Sequence, residues 1–142
     1  MSDSTEAVRH IYEEWHAATN SHDIPRVIAL YAEQAILESP AILAIYPHLQ
    51  DGILSGRSEI EKFFTKVLSV LSKEFRELYR SDLFLSTGKL LTWEYPRETP
   101  TGEQVDLVES MDIEDGLIVH HRVYWGWKGC QALFAAARNN AS

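Results

Sequence analysis

Val105 to Trp125 reads VDLVESMDIEDGLIVHHRVYW, two runs of alternating apolar and polar residues broken at Glu114-Asp115-Gly116. Alternation with this period marks strands that bury one face. The acidic-glycine break between them reads as the turn of a hairpin. In the first run Val105, Leu107, Glu109, Met111 and Ile113 share a face, apolar except for Glu109; Asp106, Val108, Ser110 and Asp112 take the other. In the second, Leu117, Val119, His121, Val123 and Trp125 share a face, apolar except for His121, while Ile118, His120, Arg122 and Tyr124 take the other. A three-residue loop pairs Ile113 with Leu117. Counting back along both strands then sets Glu109 opposite His121, roughly 5 Å apart at Cβ. A loop of even length would put the two on opposite faces.

Further strands precede this hairpin. Glu77 to Thr87, Leu90 to Glu98 and Gln104 to Ile113 are separated by Thr87-Gly88 and Pro100-Thr101-Gly102, the last strand runs from Leu117 to Trp127, and short turns of this kind make an antiparallel meander. The first half of the chain has helical spacing instead. Asp3 and Glu6 stand at capping-box separation, and Val8, Ile11, Tyr12, Trp15 and Ala18 follow as one apolar stripe. Asp23 can cap a second helix with Pro25 in its first turn and Ile24, Val27, Ile28 and Tyr31 inward. Ala35 to Pro40 reads as a short strand. Ala41 to Gly56 is apolar yet broken by Pro47, Asp51 and Gly52, so it is expected to be irregular and to cover something or be covered. Ser58 and Glu61 repeat the capping-box spacing ahead of a third helix with Ile60, Phe63, Phe64, Val67, Leu68 and Leu71 inward, and a short helix over 129–138 is expected to close the chain. Helices first and strands after is an α+β order, and residues 1–142 read as one domain.

Composition narrows the function. A net charge of −8 argues against nucleic acid or an anionic membrane as the main partner. The lone Cys130 excludes a disulfide within the chain and thiolate zinc sites. No run approaches the roughly 20 apolar residues of a membrane span, and Met1 to Glu6 lacks the pattern of a signal peptide. A cytoplasmic protein is expected.

Glu109 and His121 are the candidate chemistry. A carboxyl and an imidazole within reach of each other in an apolar concavity can hold or move one proton near neutral pH; the alternative is a buried hydrogen-bonded pair that only orders the sheet. Trp93, alternating with Leu91 and Tyr95, can fill the core or stack on a ligand, and the same choice holds for Trp125, Tyr12 and Trp15. His10, His16, His22 and His48 lack metal-ligand partners at sensible spacing, so no metal and no cofactor are expected. His120 is expected to point away from the pocket beside Arg122, where it can face a partner subunit. Ser39 has no nucleophile-elbow context, and Gly52 to Gly56 is no phosphate loop.

Several stretches, taken in order, carry a resemblance: Asn20-Ser21-His22-Asp23 with Leu30-Tyr31-Ala32, Ala35 to Pro40, Gly56-Arg57-Ser58-Glu59-Ile60 with Phe63-Phe64, and Gly116-Leu117-Ile118 with Tyr124-Trp125. Over nearly the whole chain they resemble the nuclear transport factor 2-like superfamily and its SnoaL-like branch. The resemblance implies a cone-shaped α+β roll, cystatin-like, in which a strongly curved mixed or antiparallel sheet packs on N-terminal helices around a pocket. It also implies a homodimer through the outer sheet face. Members include ketosteroid isomerase, polyketide cyclases, limonene epoxide hydrolase and non-enzymatic binding modules, so fold alone leaves function open. Where ketosteroid isomerase has its general-base Asp this chain has Ser39, and Trp15 falls where that enzyme has its oxyanion-hole Tyr; an acid survives at Glu109. The Arg and two Asp of the epoxide hydrolase find no match, with Val123 at the place of the last.

The resemblance therefore implies a cofactor-free isomerase- or cyclase-type protein. Glu109 and His121 would move or hold the proton on a small, apolar, carbonyl-bearing ligand, and Trp15, Leu37, Trp93 and Trp125 would line the pocket. The alternative is a ligand-binding or dimerisation module of the same fold without chemistry.

Overall fold

A computed structural model of the protein describes residues 2–70, 84–95 and 107–141. Helix α1 spans Ser2–Asn20 and buries the expected stripe of Val8, Ile11, Tyr12, Trp15 and Ala18. Asp3 lies within this helix, and its side chain is outside the described residues. The helix ends where His22 takes a left-handed φ of 57° and Asp23 N–H returns to the Ala18 carbonyl at 2.9 Å. Asp23 then caps α2, accepting from Arg26 N–H, with Pro25 in the first turn. Helix α2 covers only Ile24–Ile28. Tyr31, expected on its stripe, instead opens strand β1, Tyr31–Glu38.

Pro40, expected to close that strand, starts helix α3, Pro40–Ile45, whose first turn is capped by Ser39 Oγ accepting from Ala41 N–H at 3.1 Å. The stretch from Ala41 to Gly56 is thus more regular than its breaks suggest: it holds α3 and then β2, Ile53–Ser55. Helix α4, Arg57–Val70, begins one residue before Ser58, so Ser58 and Glu61 do not form its cap; Gly56, with φ 97°, precedes it and takes the Ile60 N–H at 3.1 Å. The remaining strands are β3 Leu85–Ser86, β4 Leu90–Tyr95, β5 Leu107–Glu114 and β6 Leu117–Trp125, followed by helix α5, Trp127–Ala141. The parts of the expected strands at 77–83, 96–98 and 104–106 lie outside the described residues, as does Leu71.

Among the described residues, six strands form one mixed sheet in the order β2-β1-β6-β5-β4-β3. All neighbours run antiparallel except β1 and β6, which are parallel. The fold is α+β: α1 packs on α2 and β4, α4 on β1, and α5 on α3. The core runs between the helices and one sheet face, through Ile11, Leu37, Ile42, Ile60, Leu91, Met111 and Ile118, each wholly buried. Among the described residues no helix is long and apolar enough to cross a membrane.

The β5–β6 register corrects the expectation for the hairpin in an instructive way. The loop has two residues, Asp115 and Gly116, both left-handed at φ 51° and 74°, and Glu114 pairs with Leu117. That is the twist-matched hairpin turn favoured by Asp-Gly. Its even length alone would set Glu109 and His121 on opposite faces. The ladder shifts, however, between Ile113↔Ile118 and Asp112↔His120, so Val119 is an extra residue on β6. Beyond this bulge Met111 pairs with His121 and Glu109 with Val123. Glu109 and His121 return to the same face as diagonal neighbours, not direct partners. The bulge also reverses the facing of the residues before it: Ile118, expected outside, is fully buried opposite Ile113, while Leu117 and Val119 are only half-buried.

Candidate functional site

The two polar exceptions of the hairpin are buried together. Glu109 keeps 4% of its surface and His121 1%, and His121 Nε2 lies 2.8 Å from Glu109 Oε1. The other imidazole nitrogen is also engaged. Tyr31 Oη lies 2.7 Å from His121 Nδ1, and Trp15 Nε1 donates to Tyr31 Oη at 3.4 Å. The topology explains how residues so distant in sequence converge. β6 is central, with β5 on one side bringing Glu109 and β1 on the other bringing Tyr31 and Leu37, the latter directly beside His121. Helix α1 crosses behind β4 and delivers Trp15, whose ring stands edge-on 6.0 Å from the imidazole.

An indole N–H can only donate, so Tyr31 Oη accepts from Trp15, and its own proton is available to His121 Nδ1. In that tautomer Nε2 carries the imidazole proton and donates it to Glu109 Oε1. Burial pushes the Tyr31 phenol well above its ordinary pKa, the Trp15 hydrogen bond opposing and the Glu109 charge adding. Tyr31 therefore stays protonated and can donate to Nδ1.

A small cavity of about 80 Å³ lies against the pair. Of the residues expected around a ligand, Trp15, Leu37 and Trp125 line it together with Glu109 and His121; Leu107, Phe63, Phe64 and Val67 supply most of the remaining apolar wall. Trp93 does not line it. Although it pairs with Glu109 across the β4–β5 ladder, Trp93 is buried behind Trp15 at a ring distance of 5.4 Å, against Tyr12 and His16. Ser39 is in the cavity wall with its hydroxyl turned to the α3 cap.

Tyr31 is the residue that sequence reasoning missed. Its spacing fits the stripe of α2, which gives it a place in the core and no role in the site. The signal available was the residue type: a buried phenol needs a partner, and a Tyr just after a five-residue helix can start a strand. On the opposite sheet face His120 points away from the cavity, as expected, and pairs with Glu38, while Arg122 forks onto Asp112 at 2.9 and 3.1 Å. No group of three or more His, Cys, Asp or Glu that could hold a metal occurs among the described residues.

A family model for the SnoaL-like domain matches residues 12–121. Among solved structures, the chain is similar to a steroid delta-isomerase from Pseudomonas aeruginosa, with 17% identity, 95% of this chain and 91% of that one covered, and a TM-score of 0.70. A SnoaL-like protein of unknown function from Burkholderia thailandensis is similar at 18% identity, 85% and 95% coverage and a TM-score of 0.67. SalBIII, an epoxide hydrolase/cyclase-like enzyme with a role in pyran ring formation in the polyether salinomycin, is similar at 18% identity, 91% and 97% coverage and a TM-score of 0.63. A search of curated proteins returns no match. At these identities the structural likeness establishes the fold.

Proposed function

Starting from a chain that belongs to the SnoaL-like family, we infer that it binds a small, apolar, carbonyl-bearing molecule beside Glu109 and moves a proton on it by acid–base catalysis. The observation that carries this reading is the buried chain Trp15–Tyr31–His121–Glu109 ending at a cavity. Glu109 would take the proton from the carbon next to the carbonyl: the C–H bond breaks, its electron pair forms the enolate, and the same carboxyl returns the proton to that or a neighbouring carbon. The His121 Nε2–H steadies the carboxylate before transfer, and Tyr31 keeps that N–H in place. General acid–base work of this kind contributes about 10²–10⁴-fold in rate and needs no metal or organic cofactor. The likeness to a steroid delta-isomerase of the same fold supports this reading.

Ser39 and Trp15 stand where ketosteroid isomerase has its base and oxyanion-hole Tyr, so the proton would be handled from β5 rather than from the end of β1. Deuterium uptake into cyclohexanone and 2-tetralone in D2O tests the reading. The wild type is expected to accelerate exchange, and Glu109→Gln to abolish the acceleration with an unchanged circular dichroism spectrum. Exchange at wild-type level in Glu109→Gln excludes the role.

One observation favours a second reading, a ligand-binding or dimerisation module without chemistry. The cavity of about 80 Å³ is well below the roughly 300–1,000 Å³ of ordinary ligand sites. A homodimer through the outer sheet face fits the 57% exposure of Tyr124 on β6. Under this reading the protein accelerates no exchange, and native mass spectrometry shows a dimer with or without a retained small molecule.

A further inference from the structure

Two hollows meet at the end of β6. Beside the cavity of about 80 Å³ runs a larger groove of about 510 Å³, and Ser39, Val123 and Trp125 stand in both walls. The groove follows from the topology. β1 leaves the sheet after Glu38, where Ser39 turns the chain into α3, whereas β6 continues from Arg122 to Trp125 with β5 alone as neighbour. Ile53 and Tyr124 line the groove with large apolar surfaces exposed at 44% and 57%. Apolar surface left open beside a concavity of ligand-binding size marks a binding site.

Trp125 links the two spaces. Its Nε1–H is shut away from solvent and has no acceptor among the described residues. A buried donor without an acceptor is destabilising, and an indole can only donate. The ring sits at the last position of β6, followed by Gly126, a joint without a side chain before α5. Turning the ring toward the groove would bring the orphaned N–H within reach of an acceptor there and widen the passage between the two spaces in one motion.

We propose that the groove is the vestibule of the Glu109–His121 site, that Trp125 is the swinging partition between them, and that its N–H takes up the carbonyl oxygen of the entering ligand. The proposal rests on the proton-transfer reading for the inner site and goes beyond it by naming the entrance and the oxygen donor. It also narrows the ligand: an acceptor oxygen at the inner end, and an apolar body too large for the cavity alone, extending along Ile53 and Tyr124.

The test is a titration with 2-tetralone and with tetralin, the same fused rings without the oxygen. The Trp125 indole resonance, assigned in ¹H–¹⁵N spectra of the wild type, is expected to move downfield with 2-tetralone and to stay in place with tetralin. Trp125→Phe is expected to bind 2-tetralone roughly tenfold more weakly and tetralin unchanged, the loss of about one hydrogen bond. Ile53→Arg, at the exposed lip of the groove, is expected to weaken 2-tetralone severalfold. An indole proton unmoved by either compound, which needs no variant to observe, overturns the proposal, as does equal 2-tetralone affinity in Trp125→Phe and wild type. The underlying reading fails separately: a shifted indole without Glu109-dependent exchange supports the partition and removes the proton transfer, while Glu109-dependent exchange with an unmoved indole removes the partition alone.

Discussion

His121 has two ring nitrogens, and the fold gives each a different partner: Tyr31 on Nδ1 and Glu109 on Nε2. The phenol is what makes the pair directional. Tyr31→Phe removes one hydrogen bond from each of Trp15 and His121, so stability is expected to fall by about 1–3 kcal/mol in chemical denaturation, and the proton-exchange rate with it. Its titration gives a second check. The folded pKa of Tyr31 lies above the unfolded value near 10, so its contribution is intact below about pH 10 and is lost as pH rises further, because the unfolded chain ionises first. The fall in melting temperature between about pH 9.5 and 11.5 is expected to be shallower in Tyr31→Phe than in the wild type. Glu109 and His121 were legible in the sequence because each breaks an apolar alternation. Tyr31 was not, because its partners lie on β6 and α1, and no local pattern shows that a residue spaced like the end of a helical stripe begins a strand.

At the scale of elements, the hairpin shows how two local devices offset each other. The Asp115-Gly116 turn alone would turn Glu109 and His121 apart, and the extra Val119 turns them back. The shared face was therefore readable from the alternation, whereas the pairing was not, since nothing in Leu117-Ile118-Val119 marks the extra residue. Gly116→Ala places a side chain at φ 74° and is expected to cost about 1 kcal/mol by thermal unfolding, whereas Asp115→Gly is expected to be near neutral. Gly52 is constrained by space. A Cβ there would lie 2.6 Å from the Ser39 carbonyl oxygen, and Ser39 N–H donates to the Gly52 carbonyl at 2.9 Å. Gly52→Ala must push β2 away from the start of α3 and is expected to destabilise the chain by about 1–3 kcal/mol, read as a lower urea midpoint. The order of breaks in this stretch concealed both α3 and β2: a helix opening on Pro40 and a three-residue strand are each too short for periodicity to register.

For the whole molecule, helices followed by strands announced the α+β class, and the amphipathic stripes of α1 and α4 named the part of the core those helices supply. What the sequence could not state is how much space remains once that core is packed. The aromatic residues fill much of the interior, Trp93 included, and leave a small cavity beside an open groove. On the opposite sheet face, the Arg122 fork holds the Asp112 carboxyl below its ordinary pKa. That stabilisation is present above about pH 4 and is lost as pH falls through the lower folded value, so Asp112→Asn is expected to flatten part of the acid limb of a melting-temperature profile. Because the pair is only partly buried, the effect at neutral pH is at most about 1 kcal/mol.

The most direct measurement is deuterium uptake into a small ketone with wild type, Glu109→Gln and Tyr31→Phe side by side. Loss of about 10²–10⁴-fold in Glu109→Gln, with a smaller loss in Tyr31→Phe, is the result expected of a carboxylate that takes the proton while a phenol and an imidazole hold it in place. Equal rates in all three proteins, or no acceleration over solvent by any of them, would contradict it.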